Sequence, residues 1–365
     1  MNWKPLDRLD SELYKGLAIL LIVTHNFMHL FPSPQENEFE FNQTRLLELF
    51  NLFFTEPENT LRILLSFFGH FGVQIFIFLS AYGLTKKFLK SSPSYWEFIS
   101  SRLLKIYPAF ILAIITWLML QGWLYPGYGL LGPFKVAYWN LESLLLKLIL
   151  ISNFVPEKSL IPIGPWWFIP FIFQFYLAFP IMLKLYLRWR GKALMAMAVV
   201  AILITMLSGG HIAGVNVYFT ILGHLPELCL GIYIAGYEPK ELKIPTIYVL
   251  VALGLYLLGN IYQLFWYLSH ICFLIIILAV FNHLIPKIKK AHISKKFLLF
   301  LGGISMPLFL VNGFLREPFI SWAIQYNDWL LTIGLCLLSL TLSILVSMML
   351  LTIEKRIMAK VTLLT

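Results

Sequence analysis

The chain has 365 residues, of which 59% are hydrophobic, 16% aromatic and only 13% charged. A soluble domain carries about 25% charged and about 45–50% apolar residues, so this composition excludes a soluble globular protein and indicates a polytopic membrane protein. The net charge of +10 does not require a nucleic-acid partner, because Lys and Arg collect in the cytoplasmic loops of membrane proteins. The three cysteines, Cys229, Cys272 and Cys336, lie in apolar runs without metal-ligand spacing, so we expect neither a disulfide framework nor a cysteine metal site.

Ten apolar runs follow one another along the chain, and a helix of about 20 residues crosses a bilayer. They lie near Gly16–Phe31, Ile63–Leu84, Tyr107–Leu124, Trp166–Leu185, Ala193–Leu207, Val217–Ala235, Pro245–Leu264, Trp266–Ile285, Phe297–Leu315 and Trp329–Ile353. An eleventh segment, Tyr138–Phe154, is short and contains Glu142 and Lys147, so we predict an amphipathic helix at the outer interface or a re-entrant piece. The predicted fold is all-α, a single membrane-embedded domain over residues 1–365 with about ten transmembrane helices.

The distribution of Lys and Arg predicts the orientation of these spans. With the N-terminus in the cytoplasm and ten alternating spans, 22 of the 28 Lys and Arg residues fall on the inner side and 6 on the outer side. This is a strong positive-inside bias, and a full crossing at Tyr138–Phe154 would destroy it. Both termini are therefore predicted to be cytoplasmic. The first apolar run follows basic residues but lacks a small-x-small cleavage site, so we expect it to remain in the protein.

Ionisable side chains inside a bilayer are costly, which makes each of them a candidate for function. His25 is the foremost candidate. A helix rises about 1.5 Å per residue, so His25, ten residues after Lys15, lies roughly 15 Å deep, near the midplane of the bilayer. His29 follows one turn later on the same face. Histidine can take and return a proton near neutral pH, as general acid–base chemistry requires. The structural alternative is a neutral histidine hydrogen-bonded to a neighbouring helix. No third ligand for a His25–His29 metal site is evident, so no metal site is predicted.

The other predicted spans contain isolated polar residues. They are His70, Ser80, Gln174, Glu227 and Asn312, and Trp166 stands at an outer helix start. Ser, Gln and Asn commonly hydrogen-bond neighbouring helices, and tryptophan belongs to the aromatic belts of membrane proteins. Each of these residues is therefore also explained by structure alone. Glu227, near an outer helix end, is less easily explained by packing, although the interface can hydrate it.

Six sequence blocks, taken in order from about residue 7 to 350, resemble the acyltransferase-3 family of integral-membrane acyltransferases. They are KGLAILLIVTH (15–25), FGHFGVQIFIFLSAYGL (68–84), RLLKIYP (102–108), PWWF (165–168) with QFYLAFP (174–180), LPELCLG (225–231) and ISMPLFLVN (304–312). Each block is degenerate, but their order on a ten-helix pattern is specific. In this resemblance His25 aligns with the family's first-helix histidine.

The chain departs from the family pattern at four positions. Lys15 and His25 are separated by nine residues instead of the family's ten, which leaves Lys15 about 80° away from the face of His25 on an ideal helix. Gln174 stands where many relatives have Glu, and Asn312 where many have His. Lys105 replaces the second arginine of the basic pair. The proton chemistry is therefore expected to differ from the commonest family version.

The resemblance implies a membrane O-acyltransferase. An acyl group, most often acetyl, would pass from cytosolic acyl-CoA, a co-substrate and not a bound cofactor, to a hydroxyl of an extracytoplasmic glycan or glycolipid. His25 would be the general base, with support at the reacting centre expected from other polar and aromatic side chains: His29, His70, Ser80, Trp166, Gln174, Tyr176, Glu227 and Asn312. Lys15, Arg102 and Lys105 would bind the acyl-CoA phosphates.

The expected partners are the lipid bilayer, acyl-CoA and the acceptor glycan, in a multi-pass protein of a bacterial inner or plasma membrane. The alternative is a transporter or glycan exporter whose substrate path the same polar groups line. The sequence shows no half-length broken helices paired across two halves, which such carriers often have.

Overall fold

The computed structural model describes residues 2–3, 5–124, 129–237, 242–243 and 245–364 of the chain. These residues are predominantly α-helical. The helices are α1 (Arg8–Met28), α2 (Thr44–Thr55), α3 (Thr60–Phe68), α4 (Gly72–Phe88), α5 (Tyr95–Leu124), α6 (Gly132–Trp139), α7 (Leu141–Leu148), α8 (Phe168–Trp189), α9 (Gly191–Leu207), α10 (Leu225–Gly236), α11 (Thr246–Gly259), α12 (Gln263–Trp266), α13 (Ser269–Lys290), α14 (His292–Gly303), α15 (Ser305–Leu315), α16 (Glu317–Tyr326) and α17 (Trp329–Leu364).

Short 3₁₀ helices and two-residue strands make up the remaining regular structure of the described residues. The 3₁₀ helices are Pro57–Asn59, Gly69–Phe71, Gly129–Leu131, Ser152–Phe154, Gly164–Trp167, Val217–Phe219 and Ile221–His224. The strands are β1 (Asn2–Trp3), β2 (His211–Ile212), β3 (Val215–Asn216) and β4 (Leu242–Lys243). β1 pairs antiparallel with β4, Asn2 opposite Lys243. Strands of this length leave the predicted all-α class intact.

Five helical segments in the described part of the chain are long and apolar enough to cross a membrane. They are Pro57–Phe88, Tyr95–Leu124, Gly164–Trp189, Ser269–Lys290 and Trp329–Ala359, with a sixth if α14 and α15 count as one broken span. Shorter apolar helices coincide with three further predicted runs: Gly191–Leu207, Ile221–Gly236 and Thr246–Gly259. The protein is therefore an all-α multi-pass membrane protein, and the count of ten spans stays a prediction.

Several predicted segments are divided in the structure, and two of the breaks have a local cause in the sequence. The run Phe297–Leu315 breaks after Gly303, where two successive glycines are poor helix formers and Pro307 lacks the N–H that would donate to the Gly303 carbonyl. The predicted segment Tyr138–Phe154 is not one helix: it holds the last two residues of α6, then α7 and a 3₁₀ turn after a break at Asn140. There the Asn140 side-chain amide donates to the Val136 carbonyl (2.9 Å), which competes with continuation of the helix.

The chain forms two compact units, and the first consists of Met1–Pro93, Ala178–Ile212 and Asn216–Gly303. Its helix α1 begins where the Asp7 side chain accepts a hydrogen bond from the Asp10 N–H (2.6 Å). α1 then packs tightly against α14. A Cβ added at Gly16 would lie 2.1 Å from the Leu298 carbonyl oxygen, so only glycine permits this approach. The close contact fixes the position of α1 and of the histidines at its other end.

The second unit consists of Ser94–Leu177, Ala213–Val215 and Ile304–Thr365. Trp166 is fully buried in it and contacts the rings of Phe110, Trp117 and Phe314 with centroid separations of 5.3, 5.8 and 6.4 Å. The Trp166 indole N–H donates to the Leu310 carbonyl (2.8 Å). A tryptophan satisfied in this way serves the aromatic core of the unit.

Candidate functional site

The first unit holds a buried histidine cluster at the end of α1. His25 is only 3% exposed. Its ring stacks on that of His29 with centroids 4.7 Å apart, as expected for positions one turn apart on one helix face. The His70 ring lies 5.4 Å from that of His25. The structure thus brings together three of the histidines predicted from the sequence.

Backbone carbonyls determine the tautomer of His25. Its Nδ1 lies 3.0 Å from the carbonyl oxygen of Ser66 and 3.2 Å from that of Leu65. A carbonyl oxygen only accepts, so Nδ1 carries the proton that is donated. The neutral imidazole therefore has its lone pair on Nε2. This is the state that a general base requires before it takes a proton.

A loop that returns over the end of α1 brings a carboxylate to these histidines. Glu36 Oε1 lies 3.9 Å from His25 Nε2 and 3.4 Å from His29 Nδ1. Burial opposes ionisation of Glu36, but the hydrogen bond to His29 and the charges of the surrounding histidines outweigh it and lower the pKa of this carboxyl to about 2. Glu36 is therefore ionised at neutral pH, and its charge favours a protonated histidine beside it.

Hydrogen bonds from α3 and α12 hold this loop in place. Arg62 donates to the Ser33 carbonyl (2.7 Å) and Ser66 Oγ to the Pro34 carbonyl (2.9 Å). On the other side, the Trp266 indole N–H donates to the Asn37 carbonyl (2.8 Å). The loop is thus anchored on both sides of Glu36, which positions the carboxylate against α1.

A second polar group lies nearby in the same unit, at the start of α10. It comprises His224, Glu227 and His270, which are 1%, 1% and 5% exposed. The rings of His224 and His270 stack with centroids 5.4 Å apart. Glu227 Oε1 lies 3.8 Å from His224 Nδ1. Of the predicted residues only Glu227 belongs to this group.

The remaining candidates of the first unit stand apart from these histidines. Lys15 is partly exposed and forms an ion pair with Glu12, its Nζ 2.9 Å from Oε1. Ser80 is half-buried on α4. Tyr14, one residue before Lys15 and in phase with His25 on the helix, is buried against Phe281 with ring centroids 5.2 Å apart.

The other predicted residues belong to the second unit. Arg102 and Tyr176 are neighbours there, with the guanidinium 5.9 Å from the centre of the phenol ring, while Lys105 is exposed on α5. Asn312 uses both amide hydrogens inside α15, donating to the carbonyls of Leu308 (3.0 Å) and Phe309 (2.7 Å). Gln174, the fifth candidate, is buried on α8.

The second unit also contains a cavity of about 280 Å³. Its lining combines aromatic and polar side chains: Trp117, Gln121, Trp139, Asn140 and Glu317. Gln121 donates to Glu317 across it (3.0 Å). None of these residues was predicted as a site.

Sequence reasoning missed Glu36, His224 and His270. Glu36 lies in a predicted outer segment that also contains Glu38 and Glu40, and no local pattern distinguishes one acid from the others. His224 and His270 lie in predicted apolar runs, where the rule that marked His25 applied equally. That rule was the available signal for both histidines.

Comparison with known proteins agrees with the sequence blocks. The profile of the acyltransferase-3 family, described as "Acyltransferase domain", matches residues 8–348. No curated protein and no solved structure matches the chain. The match extends over nearly the whole chain and includes the His25 helix, the Arg102 block and the Asn312 block. The chain belongs to the acyltransferase-3 family, and the protein is a multi-pass membrane acyltransferase.

Proposed function

We propose that this acyltransferase moves an acyl group, acetyl by preference, from cytosolic acyl-CoA to a hydroxyl of an extracytoplasmic glycan or glycolipid. The observation that carries the mechanism is the tautomer of His25, whose Nδ1 is bonded to the Ser66 carbonyl (3.0 Å) while Nε2 faces Glu36. A buried imidazole with a free lone pair beside a carboxylate is suited to accept a proton and to bear the resulting charge.

In the proposed step the acceptor hydroxyl oxygen attacks the thioester carbonyl carbon, and His25 Nε2 takes the hydroxyl proton. The Glu36 carboxylate stabilises the imidazolium that forms. The C–S bond then breaks, an ester remains on the acceptor, and the proton passes from His25 to the coenzyme A thiolate. His25 and Glu36 return to their starting states, so each turnover needs only acyl-CoA and the acceptor.

Cationic side chains are proposed to bind the coenzyme phosphates. Arg102 is the leading candidate, because its guanidinium is held over the rings of Phe98 (5.6 Å) and Tyr176 (5.9 Å) and presents a planar fork suited to phosphate. Lys105 is exposed one turn further along α5. Lys15 is a weaker candidate, since Glu12 already neutralises it at 2.9 Å.

The proposed topology has ten spans, both termini in the cytoplasm and a location in a bacterial plasma or inner membrane. The positive-inside count of 22 to 6 supports it. A donor on one side and an acceptor on the other require a reacting group that both can reach.

The test is acetyl transfer by equal amounts of monodisperse wild-type, His25→Ala and His29→Ala protein, measured as thiol release and as acetyl delivered to candidate glycans. Loss of a positioned base should lower the rate by about 10²–10⁴-fold, whereas His29→Ala should stay measurable. His283→Ala, at an exposed position of α13, controls for histidine loss alone.

Near-normal turnover by His25→Ala would disprove the mechanism while leaving the family intact. Equal loss in His25→Ala and His29→Ala would require a paired-histidine centre instead. Transport of a glycan across vesicles without acetyl transfer would support the exporter alternative.

A further inference from the structure

The side chains of His224, Glu227 and His270 converge at the junction of α10 and α13. His224 directly precedes α10, Glu227 lies in its first turn, and His270 is the second residue of α13. One potential ligand atom from each residue lies within 4.8 Å of the other two. Two imidazole nitrogens and one carboxylate oxygen form a common ligand set for zinc.

Hydrogen bonding determines which nitrogen of His224 faces the group. Nε2 lies 2.9 Å from the Tyr218 carbonyl oxygen, so Nε2 carries the proton that is donated. In the neutral ring Nδ1 then carries a lone pair, and it lies 3.8 Å from Glu227 Oε1. Two electron-pair donors thus face each other inside the protein, an arrangement that a cation between them would stabilise.

The Glu227 carboxylate needs such a cation. Within the described residues neither of its oxygens has a hydrogen-bond partner, and the side chain is 1% exposed. The 3.8 Å between Glu227 Oε1 and His224 Nδ1 exceeds hydrogen-bond length, so no hydrogen bond joins the two side chains. A buried carboxylate without a compensating partner is strongly unfavourable. By contrast, two ligands on a tetrahedral zinc lie about 3.3 Å apart, which needs only a small closure of this pair.

We propose that His224, Glu227 and His270 bind one divalent transition-metal ion, zinc by preference, at a site separate from His25. Magnesium and calcium select oxygen ligands, whereas imidazole nitrogen selects zinc and its neighbours. The Tyr218 carbonyl acts as the outer partner that orients a metal-bound histidine. With three protein ligands, the fourth position is available to a small ligand such as water. The sequence alone predicted no metal site, and this proposal departs from that prediction.

The His25–His29–Glu36 group also has three ligand atoms within reach. It is the weaker candidate, because Glu36 already accepts from His29, with Oε1 3.4 Å from Nδ1, and His29 is 25% exposed. The experiment must therefore separate the two groups.

The experiment measures metal by mass spectrometry in protein purified without a histidine tag, equilibrated with zinc and passed over a metal-free column. Wild type should retain about one zinc per chain. Glu227→Gln and His270→Gln should each lose more than about nine-tenths of it. His283→Gln, exposed on the same helix, and Glu36→Gln should keep it.

The proposal is overturned if wild type retains no more zinc than the Glu227→Gln, His270→Gln double variant. The group would then be a histidine–carboxylate cluster that binds no metal. Loss in Glu36→Gln with retention in Glu227→Gln would move the metal to the other group and also overturn it. If the ligand variants do not fold, Glu36→Gln protein loaded with Co²⁺ decides, because the other group then lacks its carboxylate. Intense visible ligand-field bands of four-coordinate cobalt would support the site. A spectrum that shows nothing but the weak bands of hydrated cobalt would refute it.

Discussion

At the residue scale, Glu36 is the charge that the structure couples to the proposed base. Because its pKa is lowered to about 2, it is ionised throughout the assay range and favours protonated His25. Glu36→Gln removes that charge, so the acid limb of the pH profile of kcat/KM should move to lower pH by about one unit or more. Burial and the Glu36 charge raise the pKa of Glu38 well above its usual range, so Glu38→Gln replaces a neutral acid and should leave the limb in place. If the acid limb does not move in Glu36→Gln, the Glu36 charge does not influence the proposed base.

A second prediction at the residue scale concerns Arg102. Loss of a charge-assisted phosphate contact costs about 1.5–3 kcal/mol, so Arg102→Ala should weaken acetyl-CoA binding by about ten- to a hundredfold in a folded, inserted protein. Isothermal titration with acetyl-CoA measures it. Arg188→Ala is the control, since Arg188 also lies over an aromatic ring, 4.7 Å from the centre of Trp189. Equal affinities of Arg102→Ala and wild type would leave Arg102 only its role in topology.

At the element scale, the 3₁₀ turn Gly69–Phe71 determines how closely α4 approaches α1, the helix of the proposed base. A Cβ at Gly69 would lie 2.6 Å from His25 Cβ and 3.0 Å from the Leu21 carbonyl oxygen. Gly69→Ala should therefore destabilise the protein by about 1–3 kcal/mol and, by displacing His25, lower turnover by about tenfold or more.

The matched control is Gly83→Ala on α4, where an added Cβ meets nothing within 4 Å. This change should preserve activity and raise stability slightly, because alanine favours helix. Thermal unfolding and acetyl transfer by both variants test the contact. If Gly69→Ala behaves like Gly83→Ala, the approach of the turn to α1 does not position His25.

At the scale of the whole molecule, the proposed topology can be tested with an impermeant thiol reagent on intact cells. The native cysteines are buried, so introduced ones report cleanly. Cysteines at the exposed positions of Glu58 and Tyr326 should react from outside, and those at Ser91 and Ala291 only after permeabilisation. Reaction of Ala291→Cys in intact cells would contradict the alternation of the eight predicted spans that precede it.

The sequence by itself determined the class of this protein and the place of its foremost histidine. Apolar run length and the scarcity of charge are properties of consecutive residues, so they indicated helices and a membrane without knowledge of packing. The ordered blocks indicated the family, which the match over residues 8–348 confirmed. Helix periodicity correctly placed His29 beside His25, because both lie on one helix face.

Only the tertiary structure decided what surrounds those histidines. Glu36 reaches His25 because Arg62, Ser66 and Trp266 bind backbone carbonyls of its loop, and these partners are distant in sequence. Likewise His270 joins Glu227 only through the packing of α13 and α10. Local patterns carry no information about which distant side chains converge, since that depends on how helices approach, and a single glycine such as Gly16 can decide the approach.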